Sequence, residues 1–232
     1  MANQEADDVR ERYARRANTV NPRRYSMLSA DVWQTVQERQ RAMLSLFVEL
    51  GIDDLSNLRL LEVGTGFGGN LLELLRIGFS PENLLGIELL PERADMARRM
   101  LPEAVQITTG DATTVPVRAE SLDFVYQSVV FSSLLDDAFQ SRLATVIWGW
   151  IKPGGGVLWY DFVYNNPANP DVRGVPLSRV RELFPRGVID ARRVTLAPPI
   201  ARRVTRVHPS LYSLFNVLPI LRTHVLCWIQ KQ

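Results

Sequence analysis

The stretch Leu60-Leu61-Glu62-Val63-Gly64-Thr65-Gly66-Phe67-Gly68-Gly69-Asn70 decides how this chain folds. Its apolar beginning predicts a buried strand, and a helix-like run, Leu71–Leu75, follows the glycines at once. Glycines suit a turn in which the backbone adopts unusual dihedral angles and a ligand approaches closely. The following helix presents free N–H groups at its N-terminus, and these favour an anionic group. The stretch therefore predicts the strand, turn and helix of a nucleotide-binding βα unit.

The glycines of this turn fit two templates. Gly64, Gly66 and Gly69 match G-x-G-x-x-G, the spacing of dinucleotide-binding turns. With Glu62 and Gly68, the first two of these glycines also match E-x-G-x-G-x-G. A tight turn that binds nothing would satisfy either template, so the rest of the chain has to decide.

Size and composition predict one soluble α/β domain. A chain of 232 residues can bury roughly 70% of its unfolded surface. Its 46% apolar and 22% charged residues are ordinary for a globular protein, and its apolar runs are shorter than the ~20 residues of a membrane span. Cys227 is the only cysteine, which excludes an intramolecular disulfide and cysteine-based zinc sites. With no secretory signal visible, we expect a cytoplasmic protein without a membrane span.

Charge is distributed unevenly although the net charge is only +2. Residues 1–160 hold 16 basic and 21 acidic residues, whereas residues 161–232 hold 11 basic and four acidic ones. A basic C-terminal third can attract anionic ligands. Arginines in surface ion pairs would explain the same numbers and would contribute little to binding.

Strand-like and helix-like segments alternate along most of the chain. Residues 1–30 contain six arginines and predict a partly ordered N-terminal arm, followed by one domain over 31–232. A helical insertion at about 200–221 precedes the last strand. The alternation predicts a parallel sheet with helices on both faces. The predicted strands cover residues 58–63, 84–88, 104–108, 121–127, 157–163, 188–196 and 223–229.

Three further landmarks follow the glycine turn in a fixed order. Glu88 ends a strand, Gly110-Asp111-Ala112 ends the next, and Ile151–Gly155 precedes another. Together with the turn they resemble the class I S-adenosylmethionine (SAM) methyltransferases over about residues 31–232. A nicotinamide dehydrogenase would share the first two landmarks but has no reason to show the others. The resemblance implies one Rossmann-like, doubly wound α/β domain with a seven-stranded, mostly parallel sheet of order 3-2-1-4-5-7-6 and an antiparallel last strand.

The resemblance also implies SAM as cofactor, S-adenosylhomocysteine as product, and a role for each matching residue. Glu62 helps to position the methionine portion, Glu88 accepts hydrogen bonds from both ribose hydroxyls, and Asp111 accepts one from the adenine amino group. Tyr25, in the arm, can reach the methionine carboxylate, and we expect the arm to become ordered when the cofactor binds. The predicted cofactor-binding residues are Tyr25, Glu62, Gly64, Thr65, Gly66, Glu88, Leu89, Gly110, Asp111, Ala112 and Gln127.

Methyl transfer from a sulfonium requires few catalytic groups from a protein, because the methyl group is already activated. The site must align a nucleophile about 3 Å from the methyl carbon, exclude water and in some cases accept a proton. Asp161, just past the fifth strand, and His208, in the insertion, are the candidate bases. His224, at the start of a strand, is better explained as structural. Asparagines after Asp161 suggest a divalent metal only weakly, so we predict no metal site.

The acceptor class follows from a missing motif. After the fourth strand the chain reads Gln127-Ser128-Val129-Val130, without the Asn/Asp-Pro-Pro-aromatic motif of methylases acting on amino groups of DNA or of protein glutamine. No RNA-binding module is visible, so we expect no nucleic-acid partner. The second half contains Trp159-Tyr160-Asp161-Phe162, Asn165-Asn166-Pro167 and an arginine-rich tail. In these features it resembles bacterial methyltransferases of polysaccharide or secondary-metabolite pathways, which implies O-methylation of a small molecule or glycan intermediate. A non-catalytic SAM-binding protein of the same fold is the alternative.

Clustered arginines predict that this acceptor carries negative charge. Arg192 and Arg193 stand together, and Arg202, Arg203 and Arg206 follow in the insertion. Guanidinium groups bind phosphate or carboxylate in a bidentate manner, so these arginines favour an acceptor such as a diphosphate sugar.

Overall fold

The computed structural model describes residues 4–17, 26–167 and 169–232. The helices of these ranges are α1 Gln4–Ala17, α2 Ala30–Glu49, α3 Gly69–Arg76, α4 Pro91–Met100, α5 Asp137–Trp150, α6 Leu177–Leu183, α7 Pro198–Val207 and α8 Leu211–Asn216. The strands are β1 Leu60–Val63, β2 Leu84–Glu88, β3 Gln106–Thr109, β4 Leu122–Ser128, β5 Ile151–Phe162, β6 Gly187–Leu196 and β7 Arg222–Lys231.

The seven strands form one sheet of order β3-β2-β1-β4-β5-β7-β6. β7 is antiparallel to both of its neighbours, and the other pairs are parallel. The predicted fold class, strand order and antiparallel last strand are confirmed. The strands before β4 are added on one side of β1, and β4 and the later strands lie on its other side. At such a switch point a crevice opens at the carboxyl ends of the two parallel strands β1 and β4, where ligands bind in sheets of this kind.

The strand β5 begins earlier than predicted, at Ile151 instead of residue 157. Its glycines allow this. A Cβ on Gly155 would lie 2.6 Å from the Asp123 carbonyl oxygen, and one on Gly156 would lie 2.6 Å from that of Ile229. The Lys-Pro-Gly-Gly-Gly sequence therefore passes close to its neighbours as an irregular part of the strand instead of ending the helix in a free loop.

Both faces of the sheet are covered by apolar packing. On one face, Phe47 of α2 packs edge-on against Phe124 with ring centroids 5.6 Å apart, and Phe124 contacts Trp228 at 5.0 Å. On the other face, Trp159 is fully buried against Phe131 at 4.6 Å. Aromatic contacts of this kind add to the burial of apolar area, and they fix the sheet between its two helical layers.

Residues 4–17, expected to belong to a partly ordered arm, form helix α1. Ala6 and Val9 are buried, and with Tyr13 they recur at helical spacing. The buried Glu5 carboxylate accepts a hydrogen bond from the Leu135 backbone N–H at 2.7 Å and one from the Arg12 guanidinium at 2.6 Å. The helix is thereby held on the loop that follows β4.

The segment between β6 and β7 contains α7 and α8 and is anchored by one buried glutamate of α2. Glu38 accepts hydrogen bonds from the Thr195 N–H at 2.8 Å, the Asn216 amide at 2.9 Å and the Tyr212 hydroxyl at 3.2 Å. Thr195 has a φ of +65°, a conformation that non-glycine residues rarely adopt. The three donors satisfy this carboxylate and hold the insertion against α2.

Candidate functional site

The turn after β1 requires its glycines. Gly64, Gly66 and Gly68 all have positive φ, at 72°, 58° and 87°. A Cβ on Gly64 would also lie 2.5 Å from the Val130 side chain. The turn is hydrogen-bonded to β2 through the Gly64 N–H and the Ile87 carbonyl at 2.8 Å. Its backbone is therefore fixed beside the end of β2.

A cavity of about 200 Å³ lies at the carboxyl ends of β1, β2 and β4. Six of its lining residues are among those predicted to bind the cofactor: Gly64, Glu88, Leu89, Gly110, Asp111 and Ala112. The other lining residues come from α1, from the start of α4, from α5, from the loop after β4 and from three strands. They are Ala6, Val9, Tyr13, Leu90, Arg93, Val129, Val130, Ser133, Leu134, Phe139 and Leu143, with Val63, Ile87 and Ser128 of the strands.

Glu88 lines this cavity at the end of β2. Its side chain is buried, and each carboxylate oxygen accepts one backbone hydrogen bond, from the Gly66 N–H at 2.7 Å and from the Leu90 N–H at 2.9 Å. A carboxylate can accept about four hydrogen bonds, so the capacity for two more remains. This arrangement suits a pair of neighbouring hydroxyl groups.

Asp111 has an unsatisfied oxygen at the same cavity. Its Oδ1 accepts hydrogen bonds from the backbone N–H and the hydroxyl of Thr113, at 2.8 and 2.9 Å. Its buried Oδ2 has no partner among the described residues. A buried acceptor without a donor is costly, so a ligand amino group is the natural partner for this oxygen.

Glu62 is fully buried beneath the glycine turn. Its Oε1 accepts a hydrogen bond from the Asn70 amide at 2.6 Å, and Oε2 has no partner in the described part of the chain. Burial raises the pKa of Glu62 to about 8, although the Asn70 hydrogen bond opposes the shift. A cation placed beside Oε2 would favour the charged carboxylate and relieve this cost.

Arg39 of α2 is a site candidate that sequence reasoning missed. Its guanidinium donates hydrogen bonds to Asn70 at 2.8 Å and to Glu73 at 3.1 Å, and it lies over the Tyr160 ring. The buried Nε has no partner among the described residues. Asn70 thus connects Arg39 with Glu62, so one buried cluster offers charges of both signs. The sequence signal for Arg39 was a charged residue within the partly apolar stretch that forms helix α2.

Helix α1 supplies a second group that the sequence did not reveal. Ala6, Val9 and Tyr13 line the cavity, and the guanidinium carbon of Arg93 lies 4.2 Å from the centre of the Tyr13 ring. Arg93 also lies over Phe67 of the glycine turn, at 5.1 Å. The helical spacing of Ala6, Val9 and Tyr13 was the sequence signal for a helix in this place. Through these residues, α1 covers the cavity.

The loop after β4 is held by two predicted site residues that do not line the cavity. The Gln127 side-chain oxygen accepts a hydrogen bond from the Val130 N–H at 3.1 Å, and Asp161 accepts one from the Ser132 N–H at 3.1 Å. Between them, Val129 lines the cavity with a φ of +54°. Gln127 and Asp161 therefore position this strained loop from behind.

Neither candidate base lies at the cavity. Asp161 is fully buried, where its two oxygens accept backbone hydrogen bonds and burial raises its pKa to about 7. His208 is exposed at the end of α7, and its Nδ1 accepts a hydrogen bond from the Ser210 N–H at 3.2 Å. These positions do not support the predicted role of either residue as a general base. His224 stacks on Tyr160, and burial lowers its pKa to about 4.

The remaining predicted residues have structural places. Thr65 is buried, and its hydroxyl donates to the Glu62 carbonyl oxygen at 3.3 Å, while Gly66 binds Glu88. Tyr25 lies outside the described residues. Within the described ranges, no cluster of three or more His, Cys, Asp or Glu residues could hold a metal ion.

The arginine clusters differ in their surroundings. Arg192 forms ion pairs with Glu49 and Asp190, and Arg193 donates to the Tyr164 hydroxyl at 2.6 Å. These two arginines are thus occupied by the chain itself. None of the ion pairs formed within the described ranges involves the arginines of the insertion, Arg202, Arg203 and Arg206.

Comparison with known proteins agrees with this geometry. Residues 61–159 match the family model described as a methyltransferase domain. The chain is 27% identical over 128 residues to the biotin biosynthesis bifunctional protein BioHC of Cellvibrio japonicus, a match that covers 55% of this chain and 24% of that protein. The chain therefore spans about a quarter of the length of this relative.

Two solved structures share the fold. A SAM-dependent methyltransferase from Thermotoga maritima aligns with a TM-score of 0.66 and 16% identity, over 96% of this chain and 99% of that one. Phosphoethanolamine N-methyltransferase 2 from Haemonchus contortus, solved with SAM, aligns with a TM-score of 0.56 and 16% identity, over 82% and 52%. Over residues 61–159 the chain is therefore similar to methyltransferase domains, and it shares the fold of these SAM-dependent methyltransferases. No helix in the described ranges is long and apolar enough to cross a membrane.

Proposed function

We propose that this chain is an active SAM-dependent methyltransferase that methylates an oxygen atom of a small molecule or glycan intermediate. One observation carries the proposal. Glu88 and Asp111, at the ends of neighbouring strands, line the same cavity as the glycine turn, and Asp111 keeps an unpartnered oxygen there. Hydroxyl and amino groups of an adenosine would satisfy both carboxylates.

The buried cluster beside the turn suits the amino-acid end of the cofactor. Oε2 of Glu62 would accept a hydrogen bond from its ammonium group, and the guanidinium of Arg39 would attract its carboxylate. Leu89 offers an apolar surface for the adenine ring. When bound, SAM supplies a methyl group already activated by its sulfonium. The chain has to bind, orient and shield it from water, and α1 covers the cavity for that purpose.

The acceptor atom is proposed to be oxygen because of the turn after β4. Ser128, Val129 and Val130 line the cavity at the place where amino-group methylases carry their Asn/Asp-Pro-Pro-aromatic motif. A small acceptor fits because neither that motif nor an RNA-binding module is visible in the sequence. We place the protein in the cytoplasm, which suits Cys227, a buried free thiol.

Turnover of methyl-labelled SAM tests the proposal. The chain is incubated with a panel of alcohols, phenols, carboxylic acids, sugar phosphates and amines, and labelled products are separated from the cofactor. We expect label on an oxygen-containing acceptor and its loss in Asp111→Ala, whereas the exposed Asp95→Ala on α4 serves as the matched control. Tight binding of S-adenosylhomocysteine without turnover on any acceptor would favour the non-catalytic alternative. Label on amines alone would contradict O-methylation.

A further inference from the structure

The insertion between β6 and β7 exposes large aliphatic side chains to water. On α8 and the following turn, Leu214, Val217 and Leu218 are 63%, 68% and 51% exposed, and Ile220 is 85% exposed. Val207, at the end of α7, is 79% exposed. Leu214 and the C-cap residue Val217 are three positions apart and therefore lie on one side of α8. An exposed apolar group of this kind marks an interaction surface more often than a scattered residue does.

Positive charge without negative charge accompanies these residues. Residues 191–232 contain six arginines and one lysine but no aspartate or glutamate. Arg203 and Arg206 are exposed on α7, which packs against α8. Because the ion pairs of the described ranges leave both arginines out, their charge is available to an anionic partner.

The insertion stands on the edge of the sheet that holds the cavity. The chain leaves β6 at Leu196 and returns at Arg222, and these two residues are paired across the sheet. On the other side of β7, His224 pairs with Phe162 at the carboxyl end of β5. A partner bound to the insertion would therefore lie beside the edge where the cofactor cavity opens. The three hydrogen bonds of Glu38 keep the insertion in this place.

We propose that this insertion patch, formed by Arg203, Arg206, Val207, Leu214, Val217, Leu218 and Ile220, docks on an anionic lipid surface. Phosphate headgroups attract arginine, and the boundary beneath them receives aliphatic side chains. The patch offers both features on short helices and needs no shape-complementary partner. This inference does not depend on the proposed methyl transfer.

Co-sedimentation with lipid vesicles tests the docking. The full chain is mixed with vesicles of phosphatidylcholine alone or with phosphatidylglycerol added, at low and high salt. We expect binding to the anionic vesicles only, weakened by salt. Arg203→Gln with Arg206→Gln should reduce the partition coefficient about tenfold or more. Val217→Ser with Ile220→Ser should reduce it by a similar factor, because two inserted side chains are lost.

The matched control changes an exposed arginine and an exposed valine elsewhere, Arg99→Gln on α4 with Val48→Ser on α2, and should bind like the parent chain. Equal binding to both vesicle types, or patch variants that bind like this control, would overturn the proposal. So would a chain that ignores vesicles but self-associates in sedimentation velocity through the patch, which would assign this face to a second copy. If the variant with both serine substitutions has a lower melting temperature than the parent chain, the test rests on vesicle binding by the Arg203→Gln, Arg206→Gln variant alone.

Discussion

Two buried glutamates of this chain stand in opposite situations. Glu38 has three donors from β6 and α8, which satisfy its carboxylate. Glu62, beside the glycine turn, has one donor and an unpartnered oxygen, and Asp111 shares this deficit at the cavity. A satisfied buried carboxylate thus indicates a structural anchor, whereas an unsatisfied one indicates a place for a ligand. The region around Glu38 is built for stability, and the region around Glu62 and Asp111 for binding.

Removing the carboxylate of Glu38 should give the largest effect, a loss of folding stability. Glu38→Ala removes the acceptor of the Thr195 N–H and the Asn216 amide and leaves the buried Tyr212 hydroxyl with only Thr35, so we expect the free energy of unfolding to fall by about 3–5 kcal/mol. Affinity for S-adenosylhomocysteine should change little, because Glu38 does not line the cofactor cavity. Chemical denaturation and calorimetry measure the two quantities.

Glu49→Ala is the control for this experiment, since Glu49 lies on the same helix but is exposed in an ion pair with Arg192. It should cost less than about 1 kcal/mol. A Glu38 variant as stable as this control would show that the buried hydrogen bonds do not anchor the insertion.

Removing a carboxylate that lines the cavity should affect cofactor binding more than the free energy of unfolding. Glu88→Ala eliminates charge-assisted hydrogen bonds, so S-adenosylhomocysteine binding should weaken by about 1–3 kcal/mol. Glu82→Ala, just before the same strand, should leave affinity unchanged, because Glu82 is exposed outside the cavity. Calorimetric titration of both variants decides, and unchanged affinity in Glu88→Ala would remove this residue from the site.

The variant Asp161→Asn tests whether Asp161 positions the loop after β4 or accepts a proton during methyl transfer. An asparagine keeps one acceptor for the Ser132 and Phe162 backbone groups, so a loss of stability of about 1–2 kcal/mol is expected. Turnover of labelled SAM should persist, since the carboxylate lies behind the loop. A fall in turnover of about a hundredfold or more, with the melting temperature retained, would instead support Asp161 as general base.

Glu62 should couple cofactor binding to pH. Its pKa of about 8 in the free chain means that the carboxyl is mostly protonated at pH 7, and a bound ammonium group would favour the ionised form. S-adenosylhomocysteine binding should therefore release a proton. Because the pKa is raised from 4.5, Glu62 also makes the free chain less stable as pH rises from 4.5 to about 8. Titrations in buffers of different ionisation enthalpy measure the release, and Glu62→Gln should abolish both effects.

The fold could be predicted from local signals. Apolar runs, the glycine turn and the strand-end residues Glu88 and Asp111 are contiguous in sequence, so their order indicated both the sheet and half of the cavity wall. Helix α1 was not predicted because the six arginines of residues 1–30, four of them within the helix, concealed the spacing of Ala6, Val9 and Tyr13.

The other half of the site depends on contacts between distant residues. Arg39 reaches Asn70 and Glu73 across more than 30 positions of sequence, and no local pattern indicates such a pairing. Asp161 looked like a candidate base because it ends a strand at the correct edge. Only the structure shows its carboxylate turned toward the Ser132 backbone. Strand-end position predicts proximity to the site, but the direction of the side chain decides the role.

Calorimetric titration of the parent chain with S-adenosylhomocysteine and, separately, with NAD tests most directly whether this cavity is a SAM site. The glycine turn alone fits both ligands, whereas Asp111 and the buried pair Glu62 and Arg39 suit an adenosine joined to an amino acid. We predict saturable binding of S-adenosylhomocysteine with a stoichiometry of one and no comparable affinity for NAD. Binding of NAD with equal or higher affinity, or no detectable heat of binding with S-adenosylhomocysteine, would contradict the assignment of this cavity as a SAM site.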